Sequence, residues 1–79
     1  MWNLTLYSKP DCCLCEDAKR AIYEFSKECE LQLTVVDIGT DAALFEKYRN
    51  DIPVLLLDGV EIARHHIGLQ KLRVLRKRI

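Results

Sequence analysis

The sequence predicts a single α/β domain in which a four-stranded mixed sheet carries helices on both faces. Three observations indicate this fold class. Segments with strand and helix periodicity alternate along the chain in the order β-α-β-α-β-β-α. The first βαβ unit makes its two strands parallel, because such crossovers are right-handed. Asp58-Gly59 predicts a tight hairpin that makes the last two strands antiparallel.

Length and composition are those of one globular domain, which we expect to span residues 1–79. Of the 79 residues, 49% are hydrophobic and 30% are charged, which argues against a disordered chain or a coiled coil. No apolar run exceeds four residues, far fewer than the roughly 20 that span a bilayer. The N-terminus shows no secretory signal. We therefore expect a cytoplasmic monomer without a membrane partner.

The elements of the first half follow from local patterns. Residues 4–7 alternate at strand period and end at a turn in which Asp11 is placed to cap a helix. From about Cys13 to Cys29, apolar residues recur at three- and four-residue steps, which predicts an amphipathic helix of about four turns. Residues 33–36 are apolar or β-branched and predict a second strand buried on both faces.

The second half contributes a short helix, two strands and a last helix. Thr40 or Asp41 can cap a short helix over residues 42–48. After a turn over residues 50–53, residues 54–57 and 60–63 form the two strands of the hairpin. The last helix runs from about residue 69 to residue 77, and its apolar stripe extends to Ile79.

Charge is distributed unevenly although the twelve basic and twelve acidic residues cancel. Residues 1–61 carry six basic and twelve acidic side chains, whereas residues 62–79 carry six basic ones and none acidic. A basic terminus can indicate contact with nucleic acid. Here the cations interleave with leucines at helical spacing and crowd the end of the helix, where the helix dipole favours them. We interpret them as a solvated helix face and expect no nucleic-acid partner.

A cysteine cluster lies where the first strand meets the first helix. Cys12 and Cys15 form a Cys-x-x-Cys pair, with the first sulfur at the helix N-terminus and the second one turn deeper. Unpaired N–H groups and the positive end of the helix dipole stabilise a thiolate at Cys12. A thiolate can attack a substrate disulfide, and Cys15 can then displace the mixed disulfide. The βαβ context favours this redox role.

The other cysteines and the histidines leave alternatives open. A Cys-x-x-Cys pair also suits zinc, but the chain has no second such pair. His65 and His66 could add ligands, yet neighbouring histidines point in different directions, and we predict no metal site. We interpret Cys13 as a small exposed residue rather than a modulating thiol. Cys29 continues the apolar stripe as a buried structural thiol.

The second informative position is Ile52-Pro53, at the head of the third strand. Proline cannot donate to a sheet ladder, so one that opens a buried strand belongs at its first residue or in a strained turn. This context favours a cis peptide bond. Such a bond would leave the backbone of Ile52 unpaired at the strand end.

Together these residues resemble a glutaredoxin over essentially the whole chain. The stretch 6–19, with Cys12-Cys13-Leu14-Cys15, is similar to the glutaredoxin segment that carries Cys-Pro-Tyr-Cys into helix one. Ile52-Pro53 resembles its cis-proline strand, and Asp58-Gly59 resembles its hairpin. The closer likeness is to short glutaredoxin-like domains of unassigned function, which carry Cys-x-Leu-Cys and later Pro-Val-Leu.

The resemblance implies a thioredoxin-like fold and a thiol-disulfide oxidoreductase. It implies that Cys12 attacks, that Cys15 resolves, and that Ile52, before a cis Pro53, pairs with the substrate backbone. Lys9 matches the lysine expected near a glutathione carboxylate. The expected partner is a disulfide-containing protein or a glutathione mixed disulfide. The alternative is a non-catalytic module that binds a protein partner or a metal through the same cysteines at the start of helix one.

Two departures from glutaredoxins bear on glutathione. Glutaredoxins that hold glutathione carry Gly-Gly and then an acidic residue after the last strand, where this chain has Ala63-Arg64 and no acid beyond. Asp51 would repel the negative charges of glutathione. We expect no resident cofactor, with glutathione possible as a co-substrate that binds weakly.

Overall fold

The structure is a computed structural model that describes residues 1–78, and Ile79 lies outside the described residues. Its four strands are β1 (Trp2–Ser8), β2 (Leu31–Asp37), β3 (Val54–Leu57) and β4 (Val60–Arg64). Its α-helices are α1 (Cys13–Phe25), α2 (Ala42–Tyr48) and α3 (Leu69–Arg78), with a 3₁₀ turn at Ile38–Thr40. The sheet order is β2-β1-β3-β4. β1 is parallel to β2 and antiparallel to β3, and β4 is antiparallel to β3. The predicted fold class is confirmed.

Two predicted local signals fix the boundaries of elements. The carboxylate of Asp41 caps α2 by accepting from the N–H groups of Ala43 and Leu44 at 2.9 and 3.2 Å. Asp58 and Gly59 both have positive φ values, 50° and 84°. A two-residue type I′ hairpin requires positive φ at both positions, so these residues turn β3 into β4.

The boundaries of α1 differ from the prediction. The helix ends at Phe25 because the amides of Lys27 and Glu28 bond carbonyls three residues back and tighten the chain into turns. Cys29 therefore lies beyond the helix and is half-buried against the core. Asp11 does not cap the helix, because it takes a left-handed φ of 59° in the preceding turn. Cys12 is the N-cap instead.

The second strand also differs from the prediction, because it is not buried on both faces. β2 lies at one edge of the sheet, beside β1. Thr34 is exposed, and Val35 retains 45% of its accessible surface. An apolar, β-branched strand is typical of a sheet interior. At a sheet edge, such a strand lacks the charged side chains that usually block pairing with a further strand.

Apolar side chains form one cluster on each face of the sheet, because alternate residues of a strand point to opposite faces. The cluster beneath α1 and α3, which we call the helix cluster, contains Leu4, Leu6, Ala18, Ile22, Phe25, Leu55, Ala63, Ile67 and Leu72. The cluster beneath α2, which we call the site cluster, contains Cys15, Ile38, Tyr48, Ile52, Val54 and Leu56. These clusters hold the end of β1, the start of α1 and the start of β3 together.

The basic end of the chain forms the outer face of α3. Leu72 is fully buried, while Arg73, Arg76 and Lys77 are exposed. Arg73 donates to the Glu28 carboxylate, and Arg76 donates to the Glu28 carbonyl oxygen at 3.0 Å. These contacts attach α3 to the turns that follow α1. Within residues 1–78, no helix is long and apolar enough to cross a membrane.

Candidate active site at the cysteine corner

Cys12 lies at the N-cap of α1, with an extended backbone at φ −111° and ψ 110°. Its sulfur accepts a hydrogen bond from the Cys15 N–H at 3.3 Å. A serine, threonine or aspartate oxygen commonly makes this contact, and here the sulfur takes its place. The Cys12 sulfur therefore lies at the N-terminal end of α1, which is the positive end of the helix dipole. Because the side chain is only half-buried, the sulfur is open to a reaction partner.

Cys15 lies one turn further along α1 and is fully buried in the site cluster. Burial, reinforced by a hydrogen bond between the Cys15 and Cys12 side chains, raises the pKa of its thiol from 9.0 to about 11. A backbone hydrogen bond from Lys9 and the charge of Lys19 act in the opposite direction. All four cysteines, Cys13 and Cys29 included, are free thiols. The two thiols of the Cys-x-x-Cys pair therefore differ in exposure.

The start of β3 packs against this corner. The Ile52–Pro53 peptide bond is cis, the geometry expected from the sequence, and both residues are buried. Ile52 belongs to the site cluster with Cys15, while Cys12 and Tyr7 pack against that cluster. The fold thus brings Cys12, Cys15 and the Ile52–Pro53 segment together.

Lys9 lies in a groove beside β2. Its exposed side chain lines a groove of about 200 Å³ together with Pro10, Lys19, Val35 and Asp37, on the side of β2. Ile52 and Pro53 do not line this groove. The predicted substrate-binding residues therefore lie at two separate places around the cysteines.

Four side chains form a charged cluster beside the Ile52–Pro53 segment, and the sequence did not predict that they would come together: Asp51, Glu61, Arg64 and His65. His65 Nε2 lies 3.2 Å from Asp51 Oδ1, and the His65 N–H donates to the Pro53 carbonyl oxygen at 2.8 Å. Arg64 donates two hydrogen bonds of 2.6 Å to Glu61 and lies 3.6 Å from Asp51 Oδ2. These bonds hold Asp51 next to the segment and occupy the guanidinium group of Arg64.

The sequence offers little signal for the position of His65. Its φ is 67°, a left-handed conformation that favours glycine, and no turn motif in the sequence marks it. His65 and His66 line a groove of about 200 Å³ with Leu14 and Asp17, beside the first turn of α1. In the part of the chain that the structure describes, no group of three or more His, Cys, Asp or Glu is placed to hold a metal.

Comparison with known proteins identifies the family of the whole chain. The glutaredoxin-like domain family (DUF836) matches residues 3–75. The chain belongs to this family. A glutaredoxin-like protein of Dictyostelium discoideum is 33% identical over 76 residues, covering 89% of this chain and 70% of that protein.

Solved structures show the same fold as this glutaredoxin-like domain. A structural genomics target protein from X. campestris has a TM-score of 0.78 at 31% identity, over 96% of this chain and 97% of that chain. A protein from Nitrosomonas europaea has a TM-score of 0.80 at 21% identity, over 94% and 89%. The glutaredoxin-like NrdH-redoxin from Escherichia coli has a TM-score of 0.60 at 18% identity, over 94% and 92%. Family and thioredoxin-like fold together support a redox-type module.

Proposed function

We propose that this glutaredoxin-like domain is a thiol-disulfide oxidoreductase in which Cys12 attacks and Cys15 resolves. The hydrogen bond of 3.3 Å from the Cys15 N–H to the Cys12 sulfur carries this proposal. It holds an accessible sulfur at a helix N-terminus, where a thiolate is stabilised, and it keeps a second thiol one turn away. A purely structural cysteine pair has no need for such a difference in exposure between its two thiols.

The reaction exchanges one disulfide for another. The Cys12 thiolate attacks a sulfur of the substrate disulfide, the substrate S–S bond breaks, and the other substrate sulfur leaves as a thiolate. Cys15 then loses its proton to that thiolate or to water and attacks the Cys12 sulfur. The Cys12–Cys15 disulfide forms, the second substrate thiol is released, and two electrons have passed to the substrate. The Lys9 N–H and the Lys19 charge, which lower the Cys15 pKa, favour this deprotonation.

The same corner suits a protein disulfide better than glutathione. Glutathione carries two carboxylates, and each needs a cation or N–H donors in a partly desolvated groove. Arg64 is already bound to Glu61 and lies beside Asp51, and Lys9 lines a groove beside β2 that does not include Ile52 or Pro53. Asp51 adds a negative charge directly before the Ile52–Pro53 segment. We therefore propose a disulfide-containing protein as substrate, with Ile52 and Pro53 as its docking segment and glutathione as a weak co-substrate.

A redox titration tests the function. In dithiol-disulfide buffers of graded potential, we expect one reversible two-electron couple in which Cys12 and Cys15 lose their thiols together. Mass spectrometry after alkylation counts the remaining thiols. A Cys13→Ser variant should show the same couple, because the exposed Cys13 takes no part in the exchange. Retention of all four thiols across the buffer range would instead indicate a non-catalytic module, which is the second candidate function.

The discrimination against glutathione is expected to weaken when Asp51 becomes neutral. We expect Asp51→Asn to raise kcat/KM for a glutathione mixed disulfide about 2- to 5-fold at low salt, the size of a partly exposed charge interaction. Asp58→Asn is a matched control, because Asp58 makes the same charge change at the opposite end of β3. An equal effect of both variants, or wild-type activity comparable to that of an ordinary glutaredoxin, would contradict this specificity.

A further inference from the structure

The outer side of β2 presents unused backbone groups. All seven residues of β2 pair with β1 in one continuous parallel register, and the Trp2 N–H donates to the Glu30 carbonyl oxygen at 3.1 Å. In a parallel ladder, each residue turns its N–H and C=O to the same side, and successive residues alternate. Gln32 and Thr34 therefore bond to β1, whereas the N–H and C=O groups of Leu31, Leu33 and Val35 point away from it.

This edge lacks the devices that usually protect a strand from another strand. Residues 31–36 contain no charged residue and no proline, and β2 has no bulge. The opposite edge, β4, is different: it carries Glu61 and Arg64, and its register with β3 shifts at a bulge between Leu55 and Leu56. One edge of the sheet is thus protected and the other is open.

The residue pattern of β2 is complementary to itself. Antiparallel pairing about a two-fold axis at Leu33 places Leu33 opposite its own symmetry mate, Leu31 opposite Val35, and Gln32 opposite Thr34. Apolar side chains then meet apolar ones, and polar side chains meet polar ones. Glu30, just before β2, and Asp37, its last residue, fall opposite residues 36 and 29, which carry no charge.

We propose that two copies of this chain associate by antiparallel pairing of their β2 strands into one eight-stranded sheet. The formal net charge of zero produces no long-range repulsion between copies. Each end of the joined sheet is a protected β4 edge, so the assembly closes as a dimer and does not extend into a fibre. Nothing in the sequence predicts more than a monomer, and the exposed edge provides the reason to expect association.

The contact is small, so association is weak and depends on concentration. In sedimentation experiments with a reductant present, we expect the mass to rise from monomer to dimer between about 10 µM and about 1 mM, as for interfaces below standard size. Amide exchange locates the contact. The N–H groups of Leu33 and Val35 should exchange several-fold more slowly at the higher concentration, and those of Gln32 and Thr34, which already bond to β1, should not change.

Lysine substitutions at the two edges provide a matched pair. Val35→Lys at the open edge should shift the dimerisation midpoint at least about tenfold upward, while Val60→Lys at β4, where Val60 is 66% exposed, should not. A monomer at about 1 mM, a species larger than a dimer, unchanged exchange at Leu33 and Val35, or equal effects of both lysines would overturn the proposal. The exchange experiment uses the unsubstituted chain, so it does not depend on the folding of a variant.

Discussion

Cys12→Ser is expected to lower the rate of protein disulfide reduction by at least about 10³-fold, because it removes the thiol at the N-cap of α1 and the buried Cys15 cannot replace it as the nucleophile. Cys15 has no accessible surface, and its pKa is raised to about 11. At pH 7 such a thiol is ionised in only about one molecule in 10⁴. Stopped-flow or coupled assays of the reduction of a small protein disulfide measure the loss directly.

Cys15→Ser should retain the first step of the reaction and lose the second. The first attack by Cys12 still occurs, but no second thiol displaces the substrate, and the mixed disulfide accumulates. Mass spectrometry of the variant with a disulfide substrate should show one covalent adduct, located at Cys12 by peptide mapping. Cys13→Ser is the control for the exposed neighbour and should retain activity. An active Cys12→Ser variant, or an adduct that maps to Cys13, would contradict the assigned roles.

The elements predicted correctly are those determined by short-range chemistry. Asp58-Gly59 makes the hairpin because few other residues adopt two successive positive φ values. Asp41 caps α2 because its carboxylate reaches amides two and three residues ahead. Cys12 and Cys15 are separated by about one turn at the start of α1, and their spacing in the sequence alone predicts this separation. No long-range information is needed at any of these positions.

The features that the sequence did not predict depend on strand order and register. An apolar, β-branched strand has the same composition whether it lies at the centre of a sheet or at the edge, and only the order β2-β1-β3-β4 leaves Val35 exposed. The contact of Asp51 with Arg64 and His65 depends on the bulge between Leu55 and Leu56. That bulge adds one residue to β4 and places Arg64, rather than Ala63, opposite Val54.

Phe25→Ala is expected to lower the free energy of unfolding by about 3–5 kcal/mol, the range observed for buried phenylalanines. Phe25 has no accessible surface and lies in the helix cluster at the last turn of α1. Its ring packs edge-on against Trp2, with centroids 5.5 Å apart. A domain of this length has a total stability of only about 4–12 kcal/mol, so the variant should lose at least about a quarter of that stability at 25 °C.

Trp2 makes this loss measurable, because it is the chain's single tryptophan and its ring contacts Phe25. Its fluorescence during urea unfolding gives the free energy for both proteins, and the melting temperature should fall by roughly 12 °C or more. Phe45→Ala is the matched control. Phe45 lies on α2 and is 39% exposed, so the same truncation there should cost less than about 1 kcal/mol. Similar losses for the two variants would show that the Phe25 ring does not anchor α1 to the sheet, since only a buried ring leaves a cavity when it is removed.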